Sequence, residues 1–285
     1  MNIFALIGGD LRSVKLANLL QKDGNEVITY GLERAEEIKD NSKIYMENSL
    51  NKAIEKSDFI IAPLPFSKNG EDVMCTFSDK KIKILDLYKK YDRKIIFGGN
   101  ISDDVFMNLN NNYKVVYDLM KSEKLTILNT VSTAEGAIDS IIQNTETIIQ
   151  GSNILILGFG RVAKTLAYKL KALDAVITCA ARKESDLAWI KTFGYNTLNI
   201  NYLDGNLKNF DVIVNTVPHR IVEEDQLRQM KEDVLLVDLA SKPGGFDFEG
   251  ADRQKIKYVW ALALPGKVAP LTSARIIKDC IYEII

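Results

Sequence analysis

Residues 153–163 read Asn153-Ile-Leu-Ile-Leu-Gly-Phe-Gly-Arg-Val-Ala163. An unbroken apolar run is the pattern of a strand buried on both faces. It ends in a glycine loop, and an amphipathic helix is expected from Thr165 to Leu173. A second strand is expected over Ala175–Cys179. Strand, glycine loop, helix and strand in this order form the G-x-G-x-x-G/A fingerprint of a dinucleotide-binding unit, with Ala163 in the third place. In that reading Gly158 makes the tight turn and Gly160 lets backbone approach a pyrophosphate. Ala163 is small enough for helix and strand to pack closely. The helix N-terminus offers N–H groups and the positive end of a dipole to the phosphates. Phe159, Arg161 and Val162 complete the loop. The competing reading is a purely structural glycine turn.

About 20 residues further on, binders of NAD carry an acid that holds the ribose 2′-hydroxyl. Here the second strand ends Cys179-Ala-Ala-Arg-Lys183, with cations where the acid would stand. Ala181, Arg182 and Lys183, with Arg161 from the glycine loop, suit a 2′-phosphate, since a guanidinium gains little from a bare hydroxyl. The expected cofactor is therefore NADP(H) rather than NAD(H). The alternative leaves Arg182 and Lys183 as solvated residues ahead of the next helix. Glu184, the nearest acid, is expected in that helix's first turn, where acids are common.

The chain has 285 residues, 46% of them hydrophobic, enough for two domains. Its 37 basic and 38 acidic residues give a net charge of −1, and no basic run marks a nucleic-acid partner. No apolar stretch approaches the length of a membrane span. Met1 leads directly into a strand over Ile3–Ile7, so no signal peptide is read and a cytoplasmic location is expected. Cys75, Cys179 and Cys280 lack metal-site spacing and are expected to be buried free thiols. With a single histidine, His219, no metal site is expected.

The first half reads as a worn copy of the second. Ile3-Phe-Ala-Leu-Ile-Gly-Gly-Asp-Leu-Arg12 again gives strand, glycine turn and helix (Ser13–Lys22), then a strand over Glu26–Tyr30. Ser57-Asp-Phe-Ile-Ile-Ala-Pro-Leu-Pro65 matches Phe210-Asp-Val-Ile-Val-Asn-Thr-Val-Pro218, and Lys94–Phe97 matches Val234–Val237. Strands alternating with helices predict an α/β chain of two doubly wound, Rossmann-like parallel sheets facing a cleft and joined by long interdomain helices. A chance likeness of two ordinary βαβ units is the alternative. The expected division is 1–128 plus 267–285 for a substrate domain, 129–150 for an interdomain helix and 151–266 for the nucleotide domain. Thr130–Gln143 is expected to be helical, capped by Ser132 or Thr133 with Glu135 as capping-box partner. Its expected apolar positions are Ala134, Ile138, Ile141, Ile142 and Ile149. The last segment, Val268–Ile285, is expected to be a helix returning to the first domain.

Ligands of such sheets sit at the carboxyl ends of the strands, which selects the chemistry-bearing candidates. Asp10 and Arg12 follow the first strand, where Arg12 suits a carboxylate; a capping Asp10 with a solvated Arg12 is the alternative. That turn lacks the full phosphate fingerprint, so no second nucleotide is expected. Thr216, Val217 and Pro218 follow the strand beside the glycine loop and are expected to brace the nicotinamide ring. His219 comes next; a histidine suits a proton acceptor, although a structural loop histidine is the commoner case. Ser241 and Lys242 follow the next strand and count with His219 as the catalytic candidates, Lys242 also as a carboxylate clamp. Lys267, Thr272 and Arg275 lie further on, with a plain helix start at Pro270 as the alternative. Ser132 and Thr133 also count among the substrate-binding candidates. Cations at Arg12, Lys242, Lys267 and Arg275, in a chain of almost no net charge, point to an anionic, dicarboxylate substrate.

Seven blocks carry a resemblance running nearly end to end. They are Ile7-Gly-Gly-Asp-x-Arg12, Asn129-Thr-Val-Ser-Thr-Ala-Glu-Gly136, Leu157-Gly-Phe-Gly-Arg161, Ala181-Arg-Lys183, Asn215-Thr-Val-Pro218, Leu239-Ala-Ser-Lys-Pro-Gly-Gly245 and Leu264-Pro-Gly-Lys-Val-Ala-Pro-x-Thr-Ser-Ala274. With them the chain resembles the dipicolinate synthase A subunits of spore-forming bacteria. Ala163 for the third glycine and Asp174 for a helix-closing glycine are departures, and His219 is not part of the family pattern. The resemblance implies a formate/glycerate-dehydrogenase-like fold and oxidation of dihydrodipicolinate, from a branch of the lysine pathway, to dipicolinate with NADP⁺ as acceptor. It also implies that the partner is a flavoprotein-like B subunit, in the mother cell during sporulation; a homodimer is a further assembly considered. Two rivals stand beside it. One is an NADP-dependent 2-hydroxy or amino acid dehydrogenase of the same fold, weakened because such 2-hydroxy acid enzymes use a His–Glu pair and an Arg at fixed places while the only histidine here is His219. The other is a nucleotide-binding regulatory subunit without its own chemistry.

Overall fold

The computed structural model describes residues 1–89 and 91–285. The chain divides into two units, Met1–Asn129 with Ala269–Ile285, and Thr130–Val268.

The first unit runs β1 (Ile3–Ile7), α1 (Leu11–Lys22), β2 (Glu26–Tyr30), α2 (Glu36–Lys39), β3 (Ile44–Met46), α3 (Leu50–Lys56), β4 (Phe59–Ile61), β5 (Tyr91–Gly98), α4 (Asp103–Asn110) and β6 (Tyr113–Asp118). Helix α5 (Glu123–Asn144) carries the chain across the boundary. The second unit continues with β7 (Asn153–Leu157), α6 (Arg161–Ala172), β8 (Val176–Ala181), α7 (Glu184–Thr192), β9 (Asn196–Asn199) and β10 (Val212–Asn215). It closes with α8 (Glu224–Leu227), β11 (Leu235–Asp238), α9 (Phe248–Gln254), β12 (Lys257–Trp260) and α10 (Leu264–Val268). Helix α11 (Pro270–Tyr282) belongs to the first unit.

The two sheets have one topology. Their strand orders are β3-β2-β1-β4-β5-β6 and β9-β8-β7-β10-β11-β12, parallel in every pair. The internal repeat read from the sequence is thus present as two six-stranded, doubly wound sheets. Burial explains why the strands are so apolar. In β7, Ile154 and Ile156 pack on α5, α6 and α7, while Leu155 and Leu157 face the cluster of Leu227 and Ala251 on α8 and α9. In β1, Phe4 and Leu6 pack on α1 and α11, and Ala5 and Ile7 on α3 and α4. A strand with helices on both faces has no polar side to offer.

Several boundaries differ from the sequence reading. Helix α6 begins at Arg161, not Thr165, because Gly160 is itself the N-cap and the helix grows directly out of the glycine loop. Strand β8 runs on to Ala181. Helix α5 begins at Glu123, well before Thr130, with the Ser122 hydroxyl accepting from Leu125 N at 3.3 Å. Ser132 and Thr133 therefore lie mid-helix and cap nothing. Glu135 makes no capping box; it pairs with Lys169 on α6 at 2.9 Å. Beside that pair, the hydroxyls of Thr130 and Thr165 meet at 2.7 Å. Ala134 and Ile141 are buried, but Ile142 is 57% exposed and Ile149 lies beyond the helix end. Helix α11 starts with Pro270 in its first turn, the position where a missing N–H costs nothing.

Helix α11 is held on α1 by Ala274, Ile277 and Ile281 in the core and by a polar clasp at the rim. Asp23, at the end of α1, accepts from Lys278 Nζ at 2.6 Å and from Tyr282 Oη at 2.9 Å. The Lys278 hydrogen bond holds the Asp23 carboxyl below its usual range, outweighing slight burial, with Tyr282 adding to the effect. A carboxyl depressed in the folded state adds stability above its unfolded value, and loses it as pH falls through the folded value. Asp23→Asn is therefore expected to lower the unfolding midpoint at neutral pH, with the gap to wild type narrowing only as pH falls below the ordinary carboxylate value of 3.8 and through the lower folded one. Denaturant unfolding of both proteins across that range checks this; a gap independent of pH would contradict it.

Candidate functional site

The glycine loop at the end of β7 is built as the sequence suggests. Gly158 sits at φ +97° and donates its N–H to Ala180 O of β8 at 2.9 Å. A Cβ there would lie 2.5 Å from Thr216 Oγ1 and 2.9 Å from Val217 Cγ2, so both backbone angle and space require glycine. Gly160 differs. It has an ordinary φ of −82°, and a Cβ on it would meet no atom within 4 Å. Nothing in the protein itself asks for glycine at 160. The open cradle lies directly before a 12-residue helix whose N-cap carries no side-chain hydrogen bond. That is the shape and polarity of a phosphate seat, and it fits a dinucleotide. Ala163 is fully buried against the sheet, as close helix packing demands. Phe159 turns inward, 6% exposed, with its ring 6.2 Å from Phe193 and Lys164 Nζ 5.3 Å above it. Arg161 is exposed and Val162 half-buried.

At the end of β8, Ala181 is buried, while Arg182 and Lys183 are exposed and make no ion pair among the described residues. Glu184 stands in the first turn of α7, as expected. No carboxylate occupies the strand end.

The ends of β10 and β11 hold a feature the sequence reading missed. Asn215 and Asp238 face each other in register, both fully buried. Asn215 Nδ2 donates to Asp238 Oδ1 at 2.8 Å and to Val217 O at 2.9 Å, while its Oδ1 accepts from Val217 N at 3.0 Å. Asp238 also accepts from Ala240 N at 2.9 Å and Gly245 N at 2.6 Å. The signal available was an acid closing an otherwise apolar strand, immediately before a loop of small residues. Around this pair, Thr216 donates its hydroxyl to Leu157 O at 2.8 Å. Val217 is half-buried; Pro218, His219, Ser241 and Lys242 are exposed. His219 and Lys242 have no partner among the described residues.

The corresponding turn of the first unit is filled by its own chain. Gly9 N donates to Met74 O at 2.8 Å and Thr76 N to Gly9 O at 2.9 Å, so residues 74–76 cross over the turn. A Cβ on Gly9 would strike Ser13. Asp10 caps α1, accepting from Arg12 N at 2.9 Å, and so places a carboxylate where a phosphate would sit. Arg12 is not simply solvated: its Nε and Nη2 grip Asp10 at 2.7–3.2 Å, and Nη2 also donates to Leu64 O. Lys267 on α10 and Thr272 and Arg275 on α11 are exposed. Ser132 is buried and Thr133 half-buried within α5.

Cys179 and Cys280 are buried, but Cys75 is only half-buried, donating its thiol to Gly31 O at 3.0 Å. Burial pushes Cys179 up to about 12 and also raises Cys75. Among the described residues no group of three acidic, histidine or cysteine side chains is placed to hold a metal ion, and no helix is long and apolar enough to cross a membrane.

The doubly wound sheet, the glycine turn and the open helix N-terminus give the second unit the build of a dinucleotide-binding Rossmann-like domain. Residues 127–242 match the family model described as the NAD binding domain of D-isomer specific 2-hydroxyacid dehydrogenases. Residues 3–120 match the model of the N-terminal domain of the dipicolinate synthase A subunit. The chain is 30% identical to the dipicolinate synthase A subunit of Bacillus subtilis, over 99% of this chain and 95% of that protein. It superposes on the crystal structure of the dipicolinate synthase A subunit from Bacillus halodurans with a TM-score of 0.89, at 28% identity, covering 99% of this chain and 97% of the other. A shorter likeness, 29% identity over 43% of this chain and 51% of the relative, joins it to a shikimate dehydrogenase (NADP(+)) of Methanococcus maripaludis. The chain belongs to the family of dipicolinate synthase A subunits.

The two loop glycines separate folding from binding. Gly160→Ala is expected to cost under about 1 kcal/mol of stability, as an N-cap change, while weakening nucleotide binding about ten-fold or more. Gly158→Ala is expected to cost about 1–3 kcal/mol through its backbone angle and contacts. Thermal unfolding and nucleotide titration of both variants check this; unchanged binding by Gly160→Ala would contradict the assigned cradle.

Proposed function

We propose that this chain is the A subunit of a dipicolinate synthase, oxidising dihydrodipicolinate to dipicolinate with NADP⁺ in the mother cell of a sporulating bacterium. The observation that carries the reading is likeness over 99% of the chain to proteins of that name. The balance is simple. The dihydropyridine ring loses a hydride to the cofactor and a proton to a base or water, and becomes the aromatic pyridine dicarboxylate. Bound NADP⁺ would supply the hydride acceptor; aromatisation supplies driving force. The protein is left to bind, orient and exclude water.

Gly158, Gly160 and the N-terminus of α6 would take the pyrophosphate, as the open cradle at Gly160 supports. Arg182 and Lys183, exposed and without an ion pair among the described residues, would take the 2′-phosphate, with Arg161 beside them in the loop sequence. A relative named for NADP⁺ agrees with that preference. Thr216, Val217 and Pro218 would brace the nicotinamide ring. For carboxylates, Arg12 is a candidate: Asp10 and Leu64 O fix its guanidinium through Nε and Nη2, and Nη1 makes no bond among the described residues. Ser241 and Lys242 are carboxylate-binding candidates in the second unit, and His219, exposed after β10, is the candidate proton acceptor. Lys267, Thr272 and Arg275 are further substrate-binding candidates, with Ser132 and Thr133 on α5. The relatives' name, that of one component among several, implies a second subunit for a partner.

Nicotinamide fluorescence titration should show NADPH bound at least about ten-fold tighter than NADH, and Arg182→Ala should remove most of that preference without weakening NADH. Mixing the chain with dihydrodipicolinate and NADP⁺, with and without its partner subunit, should give dipicolinate and NADPH in equal amounts. Equal or tighter NADH binding contradicts the 2′-phosphate assignment. Nucleotide binding without turnover under either condition contradicts the oxidation and favours a regulatory role.

A further inference from the structure

The Asn215–Asp238 pair is buried polar chemistry that the nucleotide reading does not use, and it ties together two loops at the carboxyl edge of the second sheet. Asp238 receives three N–H donors, from Asn215, Ala240 and Gly245. Asn215 passes the connection on to Val217 in both directions, donor and acceptor. Gly245 extends it further: its carbonyl accepts from Ile221 N at 2.9 Å and Val222 N at 3.0 Å. The fit leaves no slack, since a Cβ on Gly245 would lie 2.2 Å from Asn215 Nδ2. Trp260 Nε1 secures the same loop from β12, donating to Ala240 O at 2.9 Å. One carboxylate, fully buried and without a cation among the described residues, is thus the common acceptor that registers residues 216–222 against residues 240–245. A buried carboxylate satisfied wholly by N–H donors costs desolvation, and hydrophobic packing would supply stability more cheaply. What it provides is a fixed position for backbone.

We propose that Asp238 is a positioning residue for the nicotinamide half of the cofactor, acting through Asn215 and the two loops, while the adenosine half is bound independently of it. This rests on the nucleotide reading above. The glycine loop and Arg182 lie on the β7–β8 side of the sheet, and the Asp238 network on the β10–β11 side. In such sheets a dinucleotide straddles the point where strand order reverses, one half on each side. Replacing Asp238 by Asn turns one acceptor into a donor facing a donor, so a bond to Ala240, Gly245 or Asn215 is lost and the loops lose their register.

The test compares NADPH with 2′-phospho-ADP-ribose, the same molecule without the nicotinamide ring. Asp238→Asn should weaken NADPH about ten-fold or more and leave 2′-phospho-ADP-ribose within about two-fold. A general loss of structure would weaken both. Should the variant fail to fold, amide hydrogen exchange of the wild-type chain still decides: the N–H groups of Val217, Ala240 and Gly245 must be protected well beyond those of their exposed neighbours His219, Ser241 and Lys242. Wild type binding both compounds, with the variant unchanged or equally weakened for both, overturns the proposal alone, as does free exchange of those amides. Wild type binding neither compound overturns the nucleotide reading and this proposal with it.

Discussion

Strands β7 and β10 lie side by side, with Leu157 opposite Asn215, and the chain leaves them toward opposite faces of the sheet. Between the two departing loops Thr216 ties back to β7 twice, its N–H donating to Leu157 O at 3.0 Å. Thr216 also donates its hydroxyl to Leu157 O, and its Oγ1 stands 2.5 Å from where a Cβ on residue 158 would be. Only glycine, at a positive φ, lets the first loop turn away beneath that hydroxyl. The turn in turn places Gly160 as the N-cap of α6 and leaves the space before the helix open. The helix start and the separation of the loops both follow from this close approach at the topological switch point.

The same topology appears twice in the chain, with opposite outcomes at that point. In the second unit the helix N-terminus is uncapped by side chains and the cradle before it is empty of protein atoms. In the first, Asp10 supplies the anion that the helix dipole favours, Arg12 neutralises it, and residues 74–76 lie across the turn. One copy leaves its helix N-terminus open; the other satisfies the same backbone groups internally and fixes a guanidinium beside it. Divergence here is a matter of a few side chains at one helix start, with the sheet beneath unchanged.

The strands and the repeat were readable because burial on both faces forces continuous apolar runs, and such runs survive translation into structure almost residue for residue. The glycine fingerprint was readable because its constraints are local. Helix starts were harder. Ser132, Thr133 and Glu135 imitate a capping box, but the packing of α5 and the Glu135–Lys169 pair override that local preference, and the true start lies at Ser122. Asp238 was invisible for another reason. Its partners lie 23 residues back and up to seven ahead, and no periodicity connects a buried acid to an amide on the neighbouring strand. The isolated positions of Arg12 and Lys242 could be read as cationic, but only the structure shows that Arg12 is gripped and Lys242 exposed.

The most direct measurement is a crystal structure of the chain grown with NADP⁺. The pyrophosphate is expected against Gly160 and the first turn of α6, with the 2′-phosphate on Arg182 and Lys183. Phosphates seated elsewhere, or a 2′-phosphate turned away from those two cations, would contradict this assignment.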